Sequence, residues 1–220
     1  MKESGIFRLK VSGDNACFTR PEMKVERVSY EVITPSAARG ILEAILWKPA
    51  IKWKILQIDI LQPIKWESVR RNEVGKITSN PSTKHMTGES KKELGFFIEE
   101  NRQQRAGLFL KDVSYVIHAK FEMTAMAGSG DSIIKFQEMF LRRASNGQCF
   151  HNPYFGCREF PAYFEFIPKD SKPYSTIEED KDLGWMLYDM DYRGKVPMPM
   201  FFHAIMEDGV INLRDVEVRS

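Results

Sequence analysis

VSYVIHAKFEM, residues 113–123, alternates without a break: Val113, Tyr115, Ile117, Ala119 and Phe121 fall on one side, and Ser114, Val116, His118, Lys120 and Glu122 on the other. Successive side chains of a strand point to opposite faces, so this stretch predicts a strand with one buried and one open face. The strand pattern extends over about 108–124. On its C-terminal side a helix is expected over about 131–145, opened by Asp131 or Ser132 and closed by Asn146-Gly147. A further strand region, CREFPAYFEFI, covers 157–167.

On the N-terminal side the elements mirror this order. Phe7-Leu9-Val11 alternates with Arg8-Lys10, a first strand. Thr34 and Pro35 open a helix, with a hydroxyl at the N-cap and a proline where its missing N–H costs nothing. Its apolar stripe is Ala38, Ile41, Leu42, Ile45 and Leu46, and Pro49 stops it. Residues 51–61 return to strand character, with a bulge where the apolar phase changes. Residues 66–107 keep no period and are rich in polar residues, which reads as a long mobile insertion with a helical piece around 91–101.

The resulting order, β-α-β, insertion, β-α-β, is an α+β pattern of ferredoxin-like type, in which an antiparallel sheet carries two helices on one face. Such a fold occupies 1–168, with the insertion at about 66–107. After Pro168 a polar linker leads to a small C-terminal β region, 169–220, ending in a hairpin in which MFFHAIM turns at Glu207-Asp208-Gly209 into VINL.

Composition excludes some classes. The chain of 220 residues is 43% hydrophobic and 28% charged, enough to bury one good core. No apolar run approaches the roughly 20 residues that span a bilayer. The start, MKESGIFRLKVSG, passes directly into a strand pattern, so a cytoplasmic protein is expected. Three cysteines, Cys17, Cys149 and Cys157, are too few for a disulfide framework. The net charge of +2 says little, but its distribution says more: Lys65–Lys120 holds eleven Lys/Arg against seven Asp/Glu, and Asp170–Ser220 six against eleven. A basic middle suits a polyanion, although solvated loops would give the same count.

The residues that carry chemistry sit on the central strand. His118 and Lys120 share a face about 7 Å apart, close enough to reach one substrate group. A histidine can take the proton of a ribose 2′-OH or give one to the leaving 5′-oxygen. An ammonium can stabilise the charge that builds on phosphorus. Polar residues alternating on a strand are more often its solvent face, and Glu122 could equally make Lys120 an ordinary ion-pair partner. Cys149, His151, Cys157 and His118 match no standard zinc spacing. His85 and His203 read as a loop and a strand residue without chemistry. There is no phosphate-cradling glycine motif, no G-x-S-x-G and no paired-carboxylate site, so neither a metal nor a cofactor is expected. Trp47, Trp53 and Trp66 each neighbour a lysine and could stack bases, while at least two of the four tryptophans are expected to be structural.

Four strings occur in order: PSAARGILEAILWKP (35–49), RQQRAGLFLKDVSYVIHAKFE (102–122), GQCFHNPYFGCREF (147–160) and DLGWMLYDMDY (182–192). Together they closely resemble the Cas5d family of RAMP proteins from type I-C CRISPR systems, over essentially the whole chain. The resemblance implies a modified ferredoxin-like domain with a small C-terminal β-sheet region. It implies binding of the CRISPR repeat hairpin and metal-independent cleavage of pre-crRNA at its 3′ base, leaving a 2′,3′-cyclic phosphate and a 5′-hydroxyl. It also implies retention on the 5′ tag beside other subunits of a Cascade-like complex.

The family's catalytic set is a tyrosine late in the first helix, with a lysine and a histidine on the central strand. His118 and Lys120 occupy the matching strand, but the tyrosine position is Leu46, which cannot exchange a proton. Tyr30, just upstream of the helix, is the substitute the sequence offers. For RNA the expected contacts are Arg39, Lys48, Arg102 and Arg105, which would hold phosphates without reading sequence. Leu46 favours a rival reading, a non-catalytic subunit that caps the 5′ tag. A third reading is a nonspecific binder of nucleic acid, duplex DNA included.

Overall fold

A computed structural model of the chain describes residues 3–23, 25–90 and 94–220. It is a mixed α/β protein with two antiparallel sheets. The elements are β1 (Phe7–Ala16), α1 (Pro35–Ile45), β2 (Ile51–Ile60), β3 (Trp66–Val74), a single turn α2 (Thr83–Met86), a 3₁₀ turn (Ile98–Asn101), β4 (Arg102–Met123), α3 (Ile133–Ser145), β5 (Tyr163–Ile167), β6 (Lys181–Asp191), β7 (Met198–Met206), β8 (Val210–Asn212) and β9 (Val218–Arg219).

The long strand β4 is the spine. Its second half lies between β1 and β2, with Ile117 opposite Leu9 on one side and Ile58 on the other. The sheet order is β5-β1-β4-β2-β8, with β3 also pairing β4. The phase change in β2 is a register shift between Ile55 and Gln57. Asp112 adopts φ 52°, a left-handed conformation that a short polar side chain tolerates, and the pairing of β4 with β1 keeps its register on either side of it.

Both helices form for the reasons their ends supply. In α1 the Thr34 hydroxyl accepts the Ala37 N–H and Pro35 occupies the first turn. In α3 the cap is Ser132, whose hydroxyl accepts the Lys135 N–H, and Asp131 instead pairs with Lys135. The helices cover the face that carries Leu9, Trp53, Ile117 and Phe121. Phe140 of α3 meets the rings of Trp53 at 4.8 Å and Phe7 at 4.9 Å. Truncating such a ring to alanine costs about 3–5 kcal/mol.

Three features depart from expectation. Residues 66–107 are not structureless: β3 pairs with Arg102–Leu110 to form a two-stranded ribbon that continues β4 beyond the core. Of the helical piece expected around 91–101, residues 91–93 lie outside the described residues, 94–97 are not helical, and 98–101 form the 3₁₀ turn. The C-terminal hairpin splits. Asp208 (φ 47°) and Gly209 (φ 71°) make a tight turn bridged by Glu207 and Val210, but β8 then pairs β2 while β7 stays in the second sheet, ordered β6-β7-β9. Finally, of the four tryptophans Trp53 alone is buried; Trp47, Trp66 and Trp185 are 59%, 41% and 47% exposed.

Among the described residues no helix is long and apolar enough to cross a membrane.

Candidate active site and nucleic-acid interface

The face of the sheet opposite the helices carries the polar side chains of β1, β4 and β2. Strand pairing sets Arg8 and Gln57 on either side of His118, and Lys54 beside Lys120. Part of this face is occupied by the chain itself. Arg8 donates to the carbonyls of Pro168 and Lys169, and Lys10 lies 4.6 Å from the centre of the Tyr174 ring. The segment after β5 thereby crosses β1 and leaves the strip over β4 and β2.

Within that strip His118 Nε2 lies 2.8 Å from Asp59 Oδ2, and Asp59 Oδ1 accepts from the Gln57 amide at 2.7 Å. A carboxylate on Nε2 makes that nitrogen the donor and leaves Nδ1 as the acceptor of the neutral ring. Lys120 Nζ donates to Glu3 at 2.6 Å, and Lys54 pairs with Glu122 at 2.7 Å. The hydrogen bond from Lys120 holds the Glu3 carboxyl below its ordinary value.

A cleft of about 750 Å³ opens beside this cluster, and Glu3, Lys52, Lys54, Lys120, Tyr188 and Arg214 line it. Burial and then the charge of Asp189 push the Tyr188 phenol up, which keeps it protonated.

The other expected residues scatter. Tyr30 is 2% exposed under the Arg20 guanidinium, 4.7 Å from its ring, and its hydroxyl interacts with the backbone of Leu187. That hydroxyl is therefore engaged away from His118 and Lys120. Leu46 is fully buried, and its carbonyl accepts the Trp53 indole N–H at 2.9 Å. Arg39 is tied to Glu43 at 2.7 Å and by two bonds to Asp189 at 2.7 and 3.1 Å, which dock α1 on β6. Lys48 is exposed at the end of α1 beside Trp47.

On the ribbon, Arg102 and Arg105 face opposite ways. Arg105 pairs with Glu73 at 3.1 Å on the half-covered face. The Arg102 side chain is 57% exposed on the face it shares with Arg70 and Gln104.

Sequence reasoning missed Asp59, Glu3, Lys54 and Tyr188, all brought to the site by pairing or packing between distant segments. Among the described residues, no three His, Cys, Asp or Glu side chains converge as a metal-binding group.

Comparison with known proteins adds to this geometry. The model of a family described as CRISPR-associated protein (Cas_Cas5), named for Cas5d, matches residues 6–214. A protein of Mannheimia succiniciproducens named CRISPR pre-crRNA endoribonuclease Cas5d is 54% identical over 94% of this chain and 93% of its own. One of the same name from Thermus thermophilus is 41% identical over 92% of this chain and 88% of its own. A solved structure titled Crystal Structure of CRISPR-associated Protein superposes with a TM-score of 0.72 at 21% identity, over 100% of this chain and 99% of that one. At that identity the likeness is one of fold.

Proposed function

We propose, since this chain belongs to the Cas5d family of CRISPR-associated proteins, that it is a metal-independent endoribonuclease which cuts pre-crRNA at the 3′ base of the repeat hairpin. The observation that carries this reading is the placing of His118, oriented by Asp59, one side chain along from Lys120 on an open strand face.

In this reading His118 Nδ1 takes the proton of the ribose 2′-OH, whose oxygen attacks the adjacent phosphorus. Lys120 leaves Glu3 for the phosphate and stabilises the charge that builds on its oxygens. The P–O5′ bond breaks, giving a 2′,3′-cyclic phosphate and a 5′-oxygen that needs a proton. We assign that proton to Tyr188, the tyrosine whose cleft also holds Lys120. It would take the role that Leu46 cannot fill, with Tyr30 buried elsewhere.

The strand order β5-β1-β4-β2 supports a modified ferredoxin-like arrangement for residues 1–168, with 169–220 as a smaller β appendage that returns β8 to the first sheet. The exposed ribbon face around Arg70 and Arg102, with Lys48, would hold the RNA backbone, and duplex DNA would bind there nonspecifically. The partners would be the repeat RNA and other subunits of a type I-C complex in the cytoplasm, with the protein staying on the 5′ tag.

Leu46 favours a second reading, a subunit that caps the 5′ tag without cutting. Incubating the protein with its repeat RNA in EDTA and resolving the products on a denaturing gel separates the two. A single cut at the 3′ base of the hairpin supports the nuclease. An uncut hairpin in a tight complex supports the cap.

A further inference from the structure

The loop after α3 returns to the end of β1 at very close range. Cys17 and Cys157 both donate their backbone N–H to the carbonyl of Phe155, at 3.1 and 2.9 Å. Gly156 sits beside Cys157 at φ +75°, and a side chain there would collide with the Cys17 carbonyl. The Cys157 sulfur lies 3.8 Å from that carbonyl oxygen, and the Cys17 sulfur lies 3.4 Å from the Thr19 hydroxyl. The two thiols also interact with each other. The amides converging on one oxygen hold the backbones of Cys17 and Cys157 side by side, with the Cys157 sulfur against the Cys17 peptide.

One cation completes the group. Arg27 reaches the Cys157 sulfur at 4.0 Å and Glu159 at 3.3 Å. Cys17 is buried and Cys157 half-buried, so a reagent meets Cys157 first. Cys149, in the same loop, has the Asn152 side chain as its hydrogen-bond partner.

We propose that Cys157 and Cys17 are a reactive dithiol, a modification site for low-molecular-weight disulfides, in which Cys157 attacks and Cys17 resolves. The Cys157 thiolate bonds to one sulfur of R–S–S–R and expels one RS⁻, leaving a mixed disulfide. Cys17 then gives up its proton, bonds to the Cys157 sulfur and expels the second RS⁻. Two protein thiols are oxidised to one disulfide, and the reagent is reduced to two thiols.

The electrostatics agree with these roles. The interaction with Cys17 and then the charge of Arg27 bring the Cys157 thiol down to about 6, while the same interaction and burial push Cys17 up. The shared proton therefore sits on Cys17. Capping Cys157 removes the thiolate that opposes Cys17 ionisation, which is when Cys17 must react.

The test treats the folded full-length protein with oxidised glutathione, quenches in acid, alkylates the remaining thiols and maps the peptides. The expected product joins the Cys17 and Cys157 peptides, leaves Cys149 alkylated and is lighter by two hydrogens. Cys149→Ser should behave identically, and Cys17→Ser should stop at one glutathione on Cys157. Glutathione retained on the native protein, reaction at Cys149 alone, or no reaction would each overturn the proposal. The native and Cys149→Ser products decide the matter even where Cys17→Ser fails to fold.

Discussion

His118 and Asp59 meet across neighbouring strands, the ring Nε2 2.8 Å from the carboxylate Oδ2, and this contact fixes which nitrogen of His118 faces a substrate. His118→Ala is expected to slow repeat cleavage by about 10²–10⁴-fold while the hairpin still binds. Asp59→Asn keeps the shape but offers an amide where a carboxylate oriented the ring, so it should lose activity in the same direction with unchanged affinity. Single-turnover cleavage beside a binding titration checks both. Full activity in Asp59→Asn would remove Asp59 from the mechanism.

Lys120 and Glu3 form an ion pair that substrate must break. Lys120→Met should lose cleavage, whereas Glu3→Gln frees the ammonium and should bind RNA at least as tightly as the parent. The pH dependence has a definite sign. The hydrogen bond from Lys120 depresses the Glu3 carboxyl, so the pair's contribution to stability is present above the ordinary carboxylate value and is lost as pH falls through the lowered one. Comparing acid unfolding of the parent and Glu3→Gln measures it, with the difference confined to the acid limb.

The parts of this fold that were legible in the sequence are those whose cause is local. Thr34, Pro35 and the stripe from Ala38 to Leu46 specify α1 from within a few residues of themselves, and β4 declares itself through unbroken alternation. The β3 ribbon was not legible because neither of its faces is a core. Glu67, Val69, Arg71 and Glu73 are half-covered while Trp66, Ser68, Arg70 and Asn72 are exposed, so both faces are largely polar and no apolar period arises. The site divides in the same way. His118 and Lys120 share one strand and were readable together. Asp59 and Glu3 reach them from 59 and 117 residues away, through pairing that no local pattern encodes.

Arg39 was expected on the RNA, yet its guanidinium holds Asp189 and Glu43. With side chains 25% and 21% exposed, the Arg39–Asp189 pair lies between a surface and a buried ion pair. Arg39→Ala should therefore cost roughly 1–3 kcal/mol of stability. The melting temperature should fall, and a double-mutant cycle with Asp189→Asn should recover the coupling. Weaker RNA binding with an unchanged melting temperature would return Arg39 to the interface.

Arg102 and Arg105 stand three residues apart on the same ribbon, and their surroundings assign them different work. Arg105 is engaged by Glu73 and Gln103, so its removal should change RNA affinity little. Arg102 sits on the open face with Arg70, and its approach to Glu99 is long, at 4.0 Å. Arg102→Ala should weaken binding across unrelated sequences and reduce the salt slope by about 0.7–0.9, the share of one neutralised phosphate. Titrations at several salt concentrations separate the two residues. Removing an ion pair inside the ribbon leaves the number of released counterions unchanged, whereas removing a cation that neutralises a phosphate lowers it. Equal slopes for Arg102→Ala and the parent would move the RNA to another face of the protein.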